Sequence, residues 1–302
     1  MKITAIGVHS AFATGSHKKV ISVEQARELV LKIAHSPNLS QELILAEIDK
    51  RSQRLYTPKW HSNFLIEFDM PSKRGKRPYR LLLHIGADIR HSLKALGLSS
   101  ADIDGVYISH PHNDHIGGME YLALTTFFNP FYTPAKPKWL NNQFIAEKLF
   151  LEHERWPVPP GNTKPDLFVN MKVLDTLKKA LGPGLDTLQA VPHVSIETYF
   201  DIHLLGEDGQ TFQDTEGSWT LTQGISLQHS NGYNILMPTD IQSIIPRANR
   251  IYIDCETSPY PSDKEIKKKC LLYHYDKEPE FPEDMFYGVL KNGDSHTYPD
   301  ED

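Results

Sequence analysis

The sequence predicts a single α/β domain, and three observations predict it. An apolar run, Ile103 to Ile108, ends in a polar loop and then a helix. Helical patterns alternate with strand-like runs as far as about Leu181. Beyond Thr198 most segments read as short strands, with hairpin signals at Gly206-Glu207-Asp208-Gly209 and Asn231-Gly232. A chain of 302 residues has room for a substantial core, and no linker or internal repeat divides it, so residues 1–302 are expected to form one domain.

Lys2 to Gly7 alternates as a first strand, and Val8 to Gly15 is then a loop able to approach a site, carrying His9 and followed by His17. Ser22-Val23-Glu24-Gln25 has capping-box spacing, with Leu29, Val30, Ile33 and Ala34 at helical intervals behind it. A second helix is expected from about Asn38 to Gln41 through Ile48 into the charged run ending at Arg54. The two form a helical insertion over about residues 20–58, read as a solvated amphipathic pair rather than a lid or a dimer contact. Asn63 to Phe68 and Tyr79 to His84 read as a hairpin with Pro71 to Lys76 as its basic turn. Asp88 to Leu96 is a helix closed by Gly97. From Thr125 to Pro165 aromatic residues and prolines alternate, a loop-like stretch that seals onto the core or stacks on a ring of the substrate. Val173 to Leu181 is a helix stopped by Gly182-Pro183-Gly184. Strands follow at Thr198 to Leu205, Trp219 to Leu227, Tyr233 to Met237, Arg250 to Asp254, Leu271 to Tyr275 and Phe286 to Val289, with a short basic helix at Ser262 to Lys269.

The net charge of -6, with lysine and arginine dispersed, argues against duplex DNA and leaves a small anionic substrate open. Two cysteines, Cys255 and Cys270, are too few for a disulfide scaffold and suit a reducing, cytoplasmic setting. No apolar stretch is long enough to span a membrane.

The chemistry concentrates in Ser109-His110-Pro111-His112-Asn113-Asp114-His115-Ile116-Gly117-Gly118. Three histidines and an aspartate within six positions each need a polar partner if buried, and a metal supplies one. Alternation places His110, His112 and Asp114 on one side of an extended loop, with His115 turning back from the helix start, so the loop can face two cations. Imidazole with carboxylate suits zinc or its first-row neighbours, manganese included. The absence of cysteine from the cluster argues for open coordination positions and hydrolysis. Gly117 and Gly118 are expected to let the backbone approach the metals.

These residues resemble the signature of the metallo-β-lactamase fold, and Pro238-Thr239-Asp240 resembles its later aspartate element. The resemblance runs from Lys2 to about Gly293 outside the insertion. It implies a four-layer αββα sandwich with the metals at one edge. Leu83 to Leu98, Ile253-Asp254-Cys255-Glu256-Thr257 and Leu272-Tyr273-His274-Tyr275 look most like phosphodiesterases related to the tRNA 3′-processing endonucleases. The nearest group is the bacterial and phage cyclic-nucleotide phosphodiesterases of the anti-Pycsar type.

What the resemblance implies is a hydrolase with two divalent ions, most readily zinc, acting on a small phosphodiester, with a homodimer as one allowed assembly. His110 and His112 would hold the first ion, Asp114 and His115 the second, with Asp240 between them and His274 completing the second. Asp114 is also the residue on which turnover would depend. For the third ligand of the first ion, His229 is favoured over His193, and His203 is expected to be structural. The proton for the leaving oxygen could come from His296, His9 or water. Three departures stand out: His84 replaces an aspartate, the segment from His229 to Asp240 is short, and little chain lies between Thr257 and Lys264. Other readings of the same residues are a tRNA 3′-end endoribonuclease, disfavoured for want of a long basic arm, a lactamase or thioesterase, and a nucleotide-binding sponge without turnover.

Overall fold

A computed structural model describes residues 1–10, 16–20, 22–35, 40, 44–48, 53–57, 59–128, 164–186, 195–223, 226–237, 248–256, 260–282 and 285–300. Asp240, His193 and the aromatic stretch 129–163 lie outside the described residues. In chain order the first elements are β1 (Lys2–Gly7), β2 (Ser16–Val20), α1 (Val23–Ala34), β3 (Gln53–Thr57), β4 (Asn63–Ser72) and β5 (Gly75–Leu83). Next come α2 (Ile89–Ala95), β6 (Gly105–Ile108), α3 (Asn113–Ile116), α4 (Met119–Phe128), β7 (Asp166–Val169), α5 (Met171–Leu185), α6 (Ile196–Tyr199) and β8 (Asp201–Leu204). The remainder is β9 (Gln210–Asp214), β10 (Gly217–Leu221), β11 (Ser226–His229), β12 (Asn234–Leu236), β13 (Arg250–Asp254), α7 (Lys264–Lys267), β14 (Cys270–Tyr273), β15 (Gly288–Val289) and β16 (Ser295–Thr297).

Two compact units divide the chain: Met1–Phe12 with Trp60–Asp302, and Ala13–Lys59. Among the described residues the larger unit holds two seven-stranded sheets, ordered β16-β1-β4-β5-β6-β7-β8 and β15-β14-β13-β12-β11-β10-β9. Alternating side chains place them face to face. Ile66, Phe68, Leu81 and Tyr107 of the first sheet share one core with Phe212, Trp219, Leu227, Tyr252 and Tyr273 of the second. The opposite faces build two outer layers. Leu65, Leu82, Val106 and Leu167 pack with α2, α4 and α5, while Ile251, Ile253 and Leu272 pack with Ile266 of α7 and with Phe286. The expected four-layer αββα sandwich is therefore observed.

The smaller unit pairs β2 with β3, Ser16 opposite Thr57 and Val20 opposite Gln53. Helix α1 begins at the expected capping box: Gln25 N–H donates to Ser22 Oγ and Ser22 N–H to Gln25 Oε1. A second helix covers 44–48. The expected charged end of that helix, near Arg54, is instead strand β3, because its cross-strand partner outweighs local helical preference.

Further elements differ from the sequence pattern. The run Trp219 to Leu227, expected as one strand, is split between β10 and β11, which pair antiparallel with Trp219 opposite His229 and Leu221 opposite Leu227. Thr198 belongs to helix α6, whose start is fixed by Ser195 N–H donating to Thr198 Oγ1 at 3.1 Å, and only Asp201–Leu204 is strand. Helix α5 continues through Gly182-Pro183-Gly184 to Leu185. Leu185 is buried and its carbonyl accepts from Tyr199 Oη–H at 2.8 Å, so tertiary contacts offset the roughly 3 kcal/mol that an interior proline costs. The β4–β5 hairpin also runs further than expected, leaving Lys73 and Arg74 between its strands. Arg74 is buried, with Nη1–H donating to Ile103 O at 2.6 Å and Ser100 O at 3.1 Å. Lys73 Nζ donates to Asp166 Oδ1 at 2.6 Å, so this basic turn anchors the fold.

Candidate metal centre

Strand direction decides where chemistry gathers. β5 and β6 are parallel, as are β12, β13 and β14, so their C-terminal ends lie along one edge of each sheet. His84 follows β5, Ser109 to His115 follow β6, Asp254 ends β13 and His274 follows β14. The end of β1 joins them, since His274 N–H donates to Val8 O at 2.7 Å.

The loop after β6 folds as its sequence suggests. His112 occupies the N-cap position of α3, accepting from His115 N–H and Ile116 N–H, both at 2.9 Å. That turn puts Asp114 and His115 inward and buried, and leaves His112 exposed. His115 N ε2 lies 3.1 Å from Asp114 Oδ2. The rings of His110 and His112 are 4.5 Å apart, and those of His110 and His115 4.3 Å. From the second sheet, His274 brings its ring to 6.0 Å from that of His115. Asp114, His115 and His274 each offer a ligand atom, all within 4.8 Å of one another and all buried. A carboxylate with two imidazoles suits a divalent first-row metal, so the residues fit such an ion.

His229 is not brought here, which corrects the preference for it as third ligand. β11 is antiparallel to β12, and His229 N–H donates to Tyr233 O, just before β12 begins. Tyr233 lies two residues before Ile235, which pairs with Arg250 at the start of β13, whereas Asp254 ends that strand. At about 3.3 Å per strand residue over about six residues, His229 is roughly 20 Å from that end along the strands. Its ring packs 4.8 Å from that of Trp219 instead. His296 lies opposite Ile3 at the start of β1, so it too is at the far end and leaves the list of proton donors. His9 stays at the near end, its ring 5.3 Å from that of Tyr275. His203 is structural as expected, with Nε2 2.7 Å from Asp166 Oδ1.

The comparisons with known proteins bear on the same elements. A crystal structure of a diphosphatase from the PhnP family is similar over 98% of this chain and 97% of its own, with a TM-score of 0.52 at 12% identity. The chain has the metallo-β-lactamase fold. The sequence model of the family Anti-Pycsar protein Apyc1 matches residues 55–155, about a third of the chain, including the whole loop after β6. An Anti-Pycsar protein Apyc1 from Bacillus phage 010DV004 is 38% identical over 74 residues, 24% of this chain and 26% of that protein. Another, from Paenibacillus harenae, is 30% identical over 106 residues, 31% of this chain and 44% of that protein. The chain thus spans between about a quarter and under half of the length of these curated relatives. The resemblance to the anti-Pycsar type is found over the segment that carries the metal loop.

In this metallo-β-lactamase fold, residues outside the signature hold the signature in place, and sequence reasoning missed most of them. His84 is fully buried between two histidines of the loop: its Nδ1 is 2.9 Å from His115 Nδ1, and its Nε2 is 2.7 Å from Ser109 Oγ. Ser109 Oγ is in turn 2.7 Å from His110 Nδ1. Burial, then the neighbouring His115, His110 and His274, pushes the His84 pKa well below that of ordinary imidazole. Burial alone would raise Asp114; the hydrogen bond and charge of His115, with His274 nearby, outweigh it and hold the carboxyl below its usual value. His274 Nδ1 is 3.1 Å from Ser62 Oγ and 3.8 Å from Asp254 Oδ2, and its Nε2 is 3.8 Å from Glu256 Oε2.

Backbone geometry marks the same place. Among the described residues the only non-glycine positions with positive φ are His84, at 65°, and His274, at 57°. Such a conformation costs about 1–2 kcal/mol per residue and persists where surrounding contacts over-determine it. Gly118 also has a packing role. A Cβ there would come within 2.5 Å of both Gly86 O and Ile89 Cγ2, so the glycine lets the metal loop dock on the β5–α2 connection. That docking is sealed by Ile85 N–H to His115 O at 2.8 Å and Gly118 N–H to Ile85 O at 2.9 Å. A histidine directly at a strand end, two residues before a glycine, was the sequence signal for His84.

Proposed function

We propose that this chain is a binuclear metal-dependent phosphodiesterase whose substrate is a small cyclic nucleotide. One observation carries the reading: Asp114 and His115, inside the residues 55–155 similar to the Anti-Pycsar proteins, converge with His274 from the other sheet, all buried and with ligand atoms within 4.8 Å of one another. In this reading His110 and His112 would hold the first ion, with His193 as third ligand in place of His229, and Asp240 would be a further ligand of the centre. Zinc is the ion this donor set favours, with manganese as the substitute. Bound there, two divalent ions supply Lewis acidity at the phosphoryl oxygens and activate a water near neutral pH.

The residues of the chain orient that chemistry. Asp114 brings a buried carboxylate to the site, its Oδ2 3.1 Å from His115 Nε2, so that a negative charge and an imidazole nitrogen face the same space. Ser62 fixes the His274 ring through Nδ1, and Ser62 Oγ–H itself donates to His9 O at 3.1 Å, tying β1 into the site. His112 is exposed, so in this reading it is open to an anionic substrate. In-line displacement then needs a proton for the departing ribose oxygen, and in this reading His9 or solvent gives it.

The test is a substrate panel with the purified protein in zinc or manganese: cyclic mononucleotides, bis(p-nitrophenyl) phosphate, a β-lactam and a precursor tRNA. Opening of a cyclic mononucleotide, lost on chelation, is the expected result. Cleavage of the precursor tRNA with cyclic nucleotides untouched would move the chain to the endoribonuclease reading. Tight nucleotide binding with no turnover of anything in the panel would make it a sponge.

A further inference from the structure

The connection between His84 and the two loop histidines has a proton inventory that closes in only one way. His115 presents Nε2 toward Asp114, on the metal-competent side, and Nδ1 toward His84. A neutral imidazole that gives Nε2 to a metal carries its proton on Nδ1. That proton lies on the 2.9 Å contact between His115 Nδ1 and His84 Nδ1, so the second nitrogen must accept it. His84 therefore keeps its own proton on Nε2, where Ser109 Oγ accepts at 2.7 Å. By the same argument His110, engaged through Nδ1 with Ser109 Oγ at 2.7 Å, donates that proton to the hydroxyl. A serine oxygen has two lone pairs, one for each of these donors, and its own hydrogen is left to donate elsewhere.

We infer that His84 is a positioning residue that fixes the tautomer and ring orientation of two metal ligands at once, His115 directly and His110 through Ser109. The inference rests on the metal reading above and goes beyond it, since none of these three contacts is a metal–ligand bond. Its geometry explains why a histidine occupies a left-handed backbone position, φ 65°, in a fully buried setting. In that conformation, at the end of β5, the ring contacts His115 Nδ1 on one side and Ser109 Oγ on the other. Asparagine is the other residue that tolerates this backbone region well, and its Oδ1 occupies the position of an imidazole Nδ1. Glutamine reproduces the Nε2 end instead. The two amides therefore separate the two arms of the connection.

The experiment is a nitrogen-15 NMR measurement of histidine tautomers in zinc-loaded wild-type protein, paired with chelator-competition titrations of His84→Asn, His84→Gln and Ser109→Ala. The expected spectrum has His84 protonated on Nε2 and bare on Nδ1. His84→Asn, which keeps an acceptor for His115, should hold zinc within about threefold of wild type. His84→Gln should lose about 10–100-fold, the usual effect of removing a ligand's outer partner. Ser109→Ala should weaken one of the two ions and spare the other. A wild-type spectrum with His84 protonated on Nδ1, or on both nitrogens, would overturn the inference even if every variant failed to fold. So would His84→Gln binding zinc as tightly as wild type. Wild-type protein that takes up no zinc at all would instead remove the metal reading beneath it.

Discussion

At one end of the sandwich His84, His110, Asp114, His115 and His274 crowd together, two of them on left-handed backbone, with imidazole nitrogens facing one another. At the other end, charge meets opposite charge. The Met1 ammonium donates to Asp214 Oδ2 at 2.6 Å, Trp219 Nε1–H donates to the same oxygen at 3.1 Å, and Arg250 Nε–H donates to Asp300 Oδ2 at 2.8 Å. In the first sheet Asp166 likewise collects Lys73, Tyr79 and His203. At the far end ion pairs and hydrogen bonds hold strands together. The near end keeps donor atoms aligned at the expense of local strain, the pattern expected of a binding site. Histidine occurs at both ends, and topology rather than residue type tells them apart.

The sharpest way to break this comparison is to remove a near-end ligand. Asp114→Ala should lose turnover altogether and weaken metal binding by at least about 100-fold, more than loss of an outer partner does. Its far-ultraviolet circular dichroism should stay that of the wild type. Retained activity would contradict the site as described. Next in size is His229→Ala at the far end: metal content unchanged, but stability to urea reduced by about 1–3 kcal/mol as the buried ring leaves Trp219. Loss of metal from this variant would return His229 to the ligand set.

The far end also makes a pH prediction. Burial raises the Asp214 carboxyl, but the Met1 ammonium, with Thr215 N–H and Asp69 N–H, outweighs burial and holds it below the ordinary value of 3.8. A carboxyl held low stabilises the fold above its unfolded pKa and loses that contribution as pH falls through the folded one. Asp214→Asn should therefore cost about 1–3 kcal/mol at neutral pH and narrow its gap from wild type below about pH 4. An equal gap at all pH values would show that charge is not what matters there. Smallest of all is His296→Ala, opposite Ile3 and far from the cluster: less than about 0.5 kcal/mol in stability and no change in turnover.

How much of this was legible in the sequence follows from how local each signal is. The loop from His110 to His115 was readable because its ligands sit within one turn of chain, fixed by the strand before it and the helix cap at His112. His274 was found by resemblance, at the end of an apolar strand. His229 was misassigned because spacing along the chain says nothing of strand direction. Only the antiparallel pairing of β11 with β12 shows that its histidine points to the wrong edge. His84 was noticed as a departure but not as a partner, since the contact with His115 links residues 31 apart. The same limit explains Ser62 and Asp254, polar residues in ordinary strand contexts that become meaningful once β1, β13 and β14 end side by side. The α/β class was legible from alternation in strands and the capping box of α1, and the four-layer arrangement from the resemblance. Boundaries failed where tertiary burial overrode local breakers, as at Pro183.

The measurement that tests the account most directly is the metal content of three proteins prepared identically: wild type, His274→Ala and His229→Ala. The account predicts about two transition-metal ions per chain in the wild type and in His229→Ala, and fewer in His274→Ala. Metal lost from His229→Ala and retained by His274→Ala would place the centre at the other end of the sandwich and contradict it.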